Sequence, residues 1–222
     1  MTPDLLSNLP SRIHMILEEG AKEGASRIAF TDEDGAEWSY RRLIDTVADV
    51  AGKMAELGVR PGDRVMVVCE NSIAAIVLMY AASRLDAWSV MTSARLSSRE
   101  IDLIKEDSSP RCVFYTHTIS SEADAHARRH GATLEVFDEI GRVKVGSLDA
   151  GTMAESVESD PAKQVATLIY TTGTTGRPKG VMLSHRNLAF VACRGKLTKT
   201  ILADDVSLCL MPISHSYGLA LM

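Results

Sequence analysis

Between Leu168 and Leu188 the chain reads LIYTTGTTGRPKGVMLSHRNL, which crowds four hydroxyls, Thr171, Thr172, Thr174 and Thr175, into one short stretch. Gly173, Gly176 and Gly180 are interleaved with them or follow them, and Lys179 supplies a cation. Glycine admits the tight, positive-φ turns that aim successive backbone N–H groups at one point, and the hydroxyls add further donors. Donors converging beside a positive charge suit a polyanion, above all the phosphates of a nucleotide. The spacing is not that of the common nucleotide loop, G-x-x-x-x-G-K-[ST]. Gly176 is followed here by Arg177 and Pro178, and Lys179 by Gly180, so the lysine–hydroxyl pair of that loop is missing. NTPase or kinase chemistry of that type is disfavoured.

Histidines are the other chemical grouping. His126 and His130 are four apart on one face of an expected helix, with His117 and Cys112 nearby in sequence. Zinc takes three or four ligands, so these are read as surface histidines and no metal site is expected.

Composition narrows the partners. The formal net charge of −5 and the lack of a Lys/Arg-rich face argue against nucleic acid. The densest basic spot, Arg128-Arg129-His130, reads as the wet face of a helix. Cys69, Cys112, Cys193 and Cys209 form no C-x-x-C pair, and MTPDLLSNLP has no apolar leader core, so a reduced, cytoplasmic protein is expected. The longest apolar stretch, Ile73 to Ala82, is far short of the ~20 residues a membrane span needs.

The elements around the Thr/Gly stretch alternate at the βαβ interval. A helix is expected over Leu9–Gly24, then short strands Arg27–Thr31 and Glu37–Tyr40 about an Asp32–Gly35 turn, and a helix from Tyr40 to Leu57. Strand Arg64–Cys69 precedes a helix Ile73–Leu85 capped by Asn71 or Ser72. Strand Trp88–Met91 precedes a helix Ser98–Glu106 with a capping box from Ser97 to Glu100. Strand Cys112–Thr116, helix Ser121–His130 and strand Thr133–Phe137 follow. Asp149 to Lys163 loses periodicity and reads as a linker or surface loop. Beyond it come strand Val165–Tyr170, the Thr/Gly loop, strand Val181–Leu183, a helix from His185 to about Thr200 capped by Ser184, and strand Val206–Met211. The last residues, PISHSYGLALM, start an apolar helix with no polar finish. This suggests a chain cut short, or a tail that docks on a partner through its apolar end.

The Thr/Gly stretch resembles, almost residue for residue, the phosphate loop of the adenylate-forming enzymes: acyl-CoA synthetases, peptide-synthetase adenylation domains and luciferases. Trp38-Ser39-Tyr40 leading into the 41–57 helix and Gly58-Val59-Arg60-Pro61-Gly62-Asp63-Arg64-Val65 resembles an earlier segment of these enzymes. Met211-Pro212-Ile213-Ser214-His215-Ser216-Tyr217-Gly218-Leu219 resembles a later one, with a proline, a histidine and an aromatic–Gly pair. The resemblance covers nearly the whole chain. It implies an α/β fold of parallel-sheet βαβ layers, the incomplete N-terminal part of a large domain. Residues 1–148 would form a first α/β portion, 149–163 a linker and 164–222 the phosphate-loop portion.

What the resemblance implies chemically is two half-reactions. A carboxylate attacks the α-phosphate of Mg-ATP to give an acyl-adenylate and pyrophosphate, and a thiol, often that of coenzyme A, then displaces AMP. Thr171, Thr172, Thr174 and Thr175 would contact phosphate oxygens. Gly173, Gly176 and Gly180 would shape the loop, Lys179 would add charge, and Arg177 would be a solvated companion. His215, with Tyr217 and Gly218, would line the carboxylate pocket. In such enzymes an acidic Thr-Glu motif for Mg2+, a ribose-holding aspartate and a mobile C-terminal domain with a catalytic lysine lie farther along. None of these is within the 222 residues, so no catalytic residue is expected here and the chain alone is expected to be inactive. A non-catalytic nucleotide- or phosphate-binding module, or one half of a split ligase, is the alternative.

Overall fold

The computed structural model describes residues 8–171, 177–198, 201–202 and 204–219. After α1 (Met15–Lys22), β1 (Ile28–Thr31) and β2 (Glu37–Ser39) pair antiparallel about the Asp32–Gly35 turn. Ser39 closes β2 and caps α2 (Tyr40–Glu56), its hydroxyl accepting from the Arg42 N–H. Three βα units follow: β3 (Arg64–Cys69) with α3 (Ile73–Arg84), β4 (Trp88–Ser93) with α4 (Ser98–Ser108), and β5 (Cys112–Tyr115) with α5 (Ser121–Arg129). Each helix begins on a serine, Ser72, Ser97 or Ser120, whose hydroxyl accepts a backbone N–H three residues on. Such a cap contributes about 1 kcal/mol. At Ser97 the Glu100 carboxylate completes the expected capping box.

β6 (Leu134–Val136) and β7 (Val143–Val145) make an antiparallel edge beside β5. β8 (Val165–Thr171) then returns parallel to β4, and β9 (Lys179–Ser184) runs antiparallel to β8 before α6 (His185–Thr198) and α7 (Ser216–Leu219). The sheet order is β6-β7-β5-β3-β4-β8-β9. The expected parallel sheet is therefore mixed, with four parallel strands at its centre and antiparallel strands at both edges. Because β8 pairs with β4, residues on either side of 149–163 share one sheet.

Alternation along β3 explains the layering. Val65 and Val67 face a core shared with Leu43, Val47, Val50 and Met54 of α2 and with Val77 and Leu78 of α3. Met66 and Val68 face a second core with Ile101 and Ile104 of α4 and Ala123 and Ala127 of α5. A strand covered on both faces reads as a continuous apolar run, as RVMVVC does. α3 is buried from Ile73 through Ser83, which is why its sequence lacks a polar face.

Two expectations fail. The first helix starts at Met15, not Leu9. Pro10 disfavours helix at the residue before it, and Arg12 and Ile13 are engaged by distant partners described below. Residues 206–211 form no strand; Val206, Leu208 and Leu210 are 97%, 80% and 78% exposed and pair with no strand among the described residues. β7 was not foreseen, because VKV between Gly141-Arg142 and Gly146 is too short to show a period.

The 149–163 stretch has no helix or strand, as expected, yet it is tied down along its length. Asp63 and Arg111 form a buried ion pair, Nε to Oδ2 at 3.0 Å. The same guanidinium donates to the carbonyls of Asp149 (2.6 Å) and Thr152 (3.1 Å). Glu155 donates its N–H to Gly62 O and its carboxylate pairs with Arg64 at 2.6 Å. Gly62 has φ +80°, and a Cβ there would lie 1.9 Å from Glu155 O, so only glycine allows the close approach. Without Arg111, the only counter-charge left to Asp63 is the exposed Arg60 guanidinium at longer range (3.3 Å to Oδ1), and losing the closer, charge-assisted bonds costs about 1.5–3 kcal/mol. Arg111→Ala is expected to lower stability by that order in urea denaturation. A loss under 1 kcal/mol would mean that the pair does not anchor this loop.

Candidate functional site

Parallel alignment of β3, β4 and β8 brings their C-terminal ends, Cys69, Ser93 and Thr171, to one edge of the sheet. Ligands of open α/β sheets bind beyond such ends. The Thr/Gly loop leaves the sheet there, its mouth closed by the pairing of Thr171 with Lys179. Thr172, Gly173, Thr174, Thr175 and Gly176 lie outside the described residues. Thr171, Arg177 and Lys179 are exposed, and neither cation has a carboxylate partner among the described residues.

Gly180 does more than shape a loop. It sits opposite Tyr170 in the β8–β9 register, and a Cβ there would come within 3.1 Å of the Tyr170 ring and 3.2 Å of Leu168 Cδ2. The tyrosine ring lies over the glycine and its O–H donates to Asp107 Oδ2 of α4 at 2.6 Å. Burial, then this hydrogen bond, push the phenol's pKa up from its ordinary value, so it stays a donor. The strand end that carries the loop is thereby braced against α4.

The other predicted group, His215, Tyr217 and Gly218, comes to the same sheet edge through Asn71, which follows β3. The Asn71 side chain holds the backbone of Cys209, Met211 and Ile213. β3 and β8 are separated by β4, so two strand spacings, roughly 10 Å, divide this anchor from the loop mouth. His215 is exposed; its Nδ1 accepts the Tyr217 N–H at 3.2 Å, which leaves the proton on Nε2. Tyr217 is 54% exposed and Gly218 is buried, where a Cβ would lie 2.1 Å from Pro212 O. Gly218 is thus a packing glycine under the histidine turn. Asn71 entered the sequence reading only as a possible helix cap. Its place just past a buried strand was the signal that could have marked it.

The histidines read as surface residues are structural. His126 is buried, with Nε2 3.1 Å from the carbonyls of Ala94 and Leu96. His130 lies between Tyr115 Oη (2.6 Å) and Asp102 (2.9 Å), and burial lowers its pKa. Among the described residues no group of three or more His, Cys, Asp or Glu converges to hold a metal.

His185, expected only as the first residue of a helix, has a larger structural role. It opens α6 directly after β9, and Ser184 before it caps the helix as expected, accepting from the Asn187 N–H. His185 is fully buried, and its Nδ1 accepts the Ile13 N–H at 3.1 Å. Arg12 beside it pairs with Asp86 at 2.6 Å and donates to Glu158 O at 2.8 Å. Burial, reinforced by the Arg12 guanidinium, pushes the His185 pKa down to about 3. A strap before α1 thus ties α3, the 149–163 stretch and the helix behind the loop hairpin.

Comparison with known proteins adds the following. A family model described as "AMP-binding enzyme" matches residues 17–222. The chain is 31% identical over 208 residues to peroxisomal OPC-8:0-CoA ligase 1 of Arabidopsis thaliana, covering 87% of this chain and 37% of the relative. It is 33% identical over 191 residues to feruloyl-CoA synthase of Amycolatopsis sp, covering 85% and 36%. The chain therefore spans little more than a third of the length of these curated relatives. Among solved structures it is similar to ATP-bound MatB of Rhodopseudomonas palustris, with a TM-score of 0.73 and 29% identity, over 94% of this chain and 42% of the other.

The neutral, buried His185 has a measurable consequence. Its folded pKa lies below the unfolded value of about 6.5, so the unfolded chain binds the extra proton. The contribution is fully present above pH 6.5 and is lost as pH falls from there toward 3, at about 1 kcal/mol per pH unit. His185→Asn keeps an acceptor but does not titrate. Its stability, followed by urea denaturation across pH 4–7, is expected to fall less steeply than that of the wild type. Parallel curves would refute the burial of a neutral imidazole.

Proposed function

Because the chain belongs to the AMP-binding enzymes, we propose that it is the N-terminal portion of an ATP-dependent acid–thiol ligase, which converts a carboxylic acid, ATP and coenzyme A to an acyl-CoA, AMP and pyrophosphate. The observation that carries the reading is the placement of Thr171 and Lys179 across the mouth of one glycine-rich loop, at the C-terminal edge of the parallel strands. The relatives' names, an OPC-8:0-CoA ligase and a feruloyl-CoA synthase, are in keeping with a carboxylic acid as the substrate class.

In this reading the loop residues Thr171, Thr172, Gly173, Thr174, Thr175 and Gly176 hold the β- and γ-phosphates of ATP, with Lys179 adding charge. A carboxylate oxygen forms a bond to the α-phosphorus while the bond to the pyrophosphate oxygen breaks, and pyrophosphate leaves into the loop. Holding the departing group with fixed donors is the main aid a protein gives to such a transfer. The carboxylate is presented from the other end of the edge, where the exposed Nε2–H of His215 can donate to it, with Tyr217 beside it. The thiol of coenzyme A then attacks the acyl carbon and AMP departs. Mg2+, when bound, would offset phosphate charge; no carboxylate cluster among the described residues gathers to hold it, and no step here runs through it.

No helix among the described residues is long and apolar enough to cross a membrane, and the four cysteines are free. Both fit a ligase working in the reducing cytoplasm on small-molecule substrates. In this reading the remaining groups of the reaction are supplied by further polypeptide, in keeping with a chain that spans little more than a third of these relatives' length.

Losing one charge-assisted contact costs about 1.5–3 kcal/mol. In the full-length protein Lys179→Ala is accordingly expected to lower kcat/KM for ATP roughly 10- to 100-fold, with KM for the carboxylate little changed, read by pyrophosphate release. Unchanged ATP kinetics would remove the phosphate role of this edge. The 222-residue chain alone is expected to form no acyl-adenylate from acid and ATP, measured by chromatography of the quenched mixture. Acyl-adenylate in that mixture would overturn the partial-ligase reading.

A further inference from the structure

The Asn71 side chain makes three hydrogen bonds, all to a segment far along the chain. Nδ2 donates to Met211 O at 2.9 Å and to Cys209 O at 3.3 Å, and Oδ1 accepts the Ile213 N–H at 2.9 Å. Two carbonyls face the two amide protons and one N–H faces the oxygen, so the partners fix the orientation of the amide. Among the described residues no strand pairs with this segment, and Val206, Leu208 and Leu210 in and before it are exposed. Its seating rests on Asn71, on the buried side chains of Ile213 and Leu219, and on the contact of Gly218 with Pro212 O. His215 follows directly: its N–H donates to Pro212 O at 3.0 Å, and its own carbonyl accepts the Leu219 N–H at 3.0 Å. The imidazole therefore stands where residues 211–213 put it.

We propose that Asn71 is a positioning residue for the carboxylate pocket: its amide holds residues 209–213 against the end of β3 and thereby sets where the His215 ring stands. The inference rests on the pocket role of His215 given above. No other short side chain does the same work. Aspartate would set an oxygen against two carbonyls, and serine lacks the second donor proton. Asn71 touches no reacting atom, so its loss acts through the segment it holds.

Hydrogen exchange on the full-length protein tests this, with Asn71→Ala and the isosteric Asn71→Asp. Both variants are expected to speed exchange over residues 209–219 at least about tenfold, while β3 and β4 stay protected as in the wild type. KM for the carboxylate is expected to rise by a similar factor, with KM for ATP unchanged. Wild-type exchange over 209–219 in Asn71→Ala, or wild-type behaviour of Asn71→Asp, would overturn the proposal. So would loss of protection throughout β3 and β4 in both variants, which would make Asn71 a general determinant of the fold. If His215→Ala leaves KM for the carboxylate unchanged while Asn71→Ala still frees the segment, the pocket role of His215 falls and the seating by Asn71 stands.

Discussion

The ion pair between Asp63 and Arg111 is the constraint on which the arrangement rests. Both side chains lie out of water at the N-terminal end of the sheet, where an unpaired charge could not be tolerated. Asp63 belongs to the turn that starts β3 and Arg111 to the residue before β5, so the pair fixes two adjacent parallel strands at their origins. Arg111 then uses its remaining donors on Asp149 and Thr152. A stretch that composition marks as a linker becomes a fastened strip between the first five strands of the large sheet and the hairpin that carries the Thr/Gly loop.

Order at one end of the sheet makes the other end available for binding. The Tyr170 ring over Gly180 braces the exit of β8 against α4, and the His185 imidazole fastens the start of α6 to the chain before α1. Between them the β8–β9 hairpin is fixed at both its open end and its closed end. The two strands that enter and leave the Thr/Gly loop therefore have a rigid mounting, as a preorganised site requires.

Much of this was legible in the sequence, for identifiable reasons. The strands and helices from Tyr40 to Arg129 carry strong local signals: long apolar periods, serine caps and a Ser97–Glu100 box that the structure contains. The ends of the Thr/Gly stretch were legible too, since an apolar β-branched run enters it and another leaves it, and these pair as β8 and β9. The misses are those whose cause lies elsewhere in the chain. Leu9 to His14 carry helical spacing, but the Ile13 N–H is claimed by an imidazole 172 residues away. Val206 to Met211 look like a strand by propensity, yet a strand needs a neighbour, and Asn71 holds the segment by its backbone instead. His126 and His130 gave no sign of burial, since exposure depends on which elements pack beside a helix and not on the helix itself.

The strand order also bears on how the chain must assemble as it is made. β4 gains β3 as a neighbour almost at once, but its other side is closed only by β8, where Thr167 bonds to Ser89 across 78 residues of sequence. At a synthesis rate of about 5–20 residues per second, that side of a buried, apolar strand stays open for roughly 4–16 s. An open edge of this kind is a template for pairing with other chains. The polar stretch from 149 to 163 is bonded to Gly62, Arg64 and Arg111 at the starts of β3 and β5, so once those contacts form, the loop still to be closed between β4 and β8 is shorter.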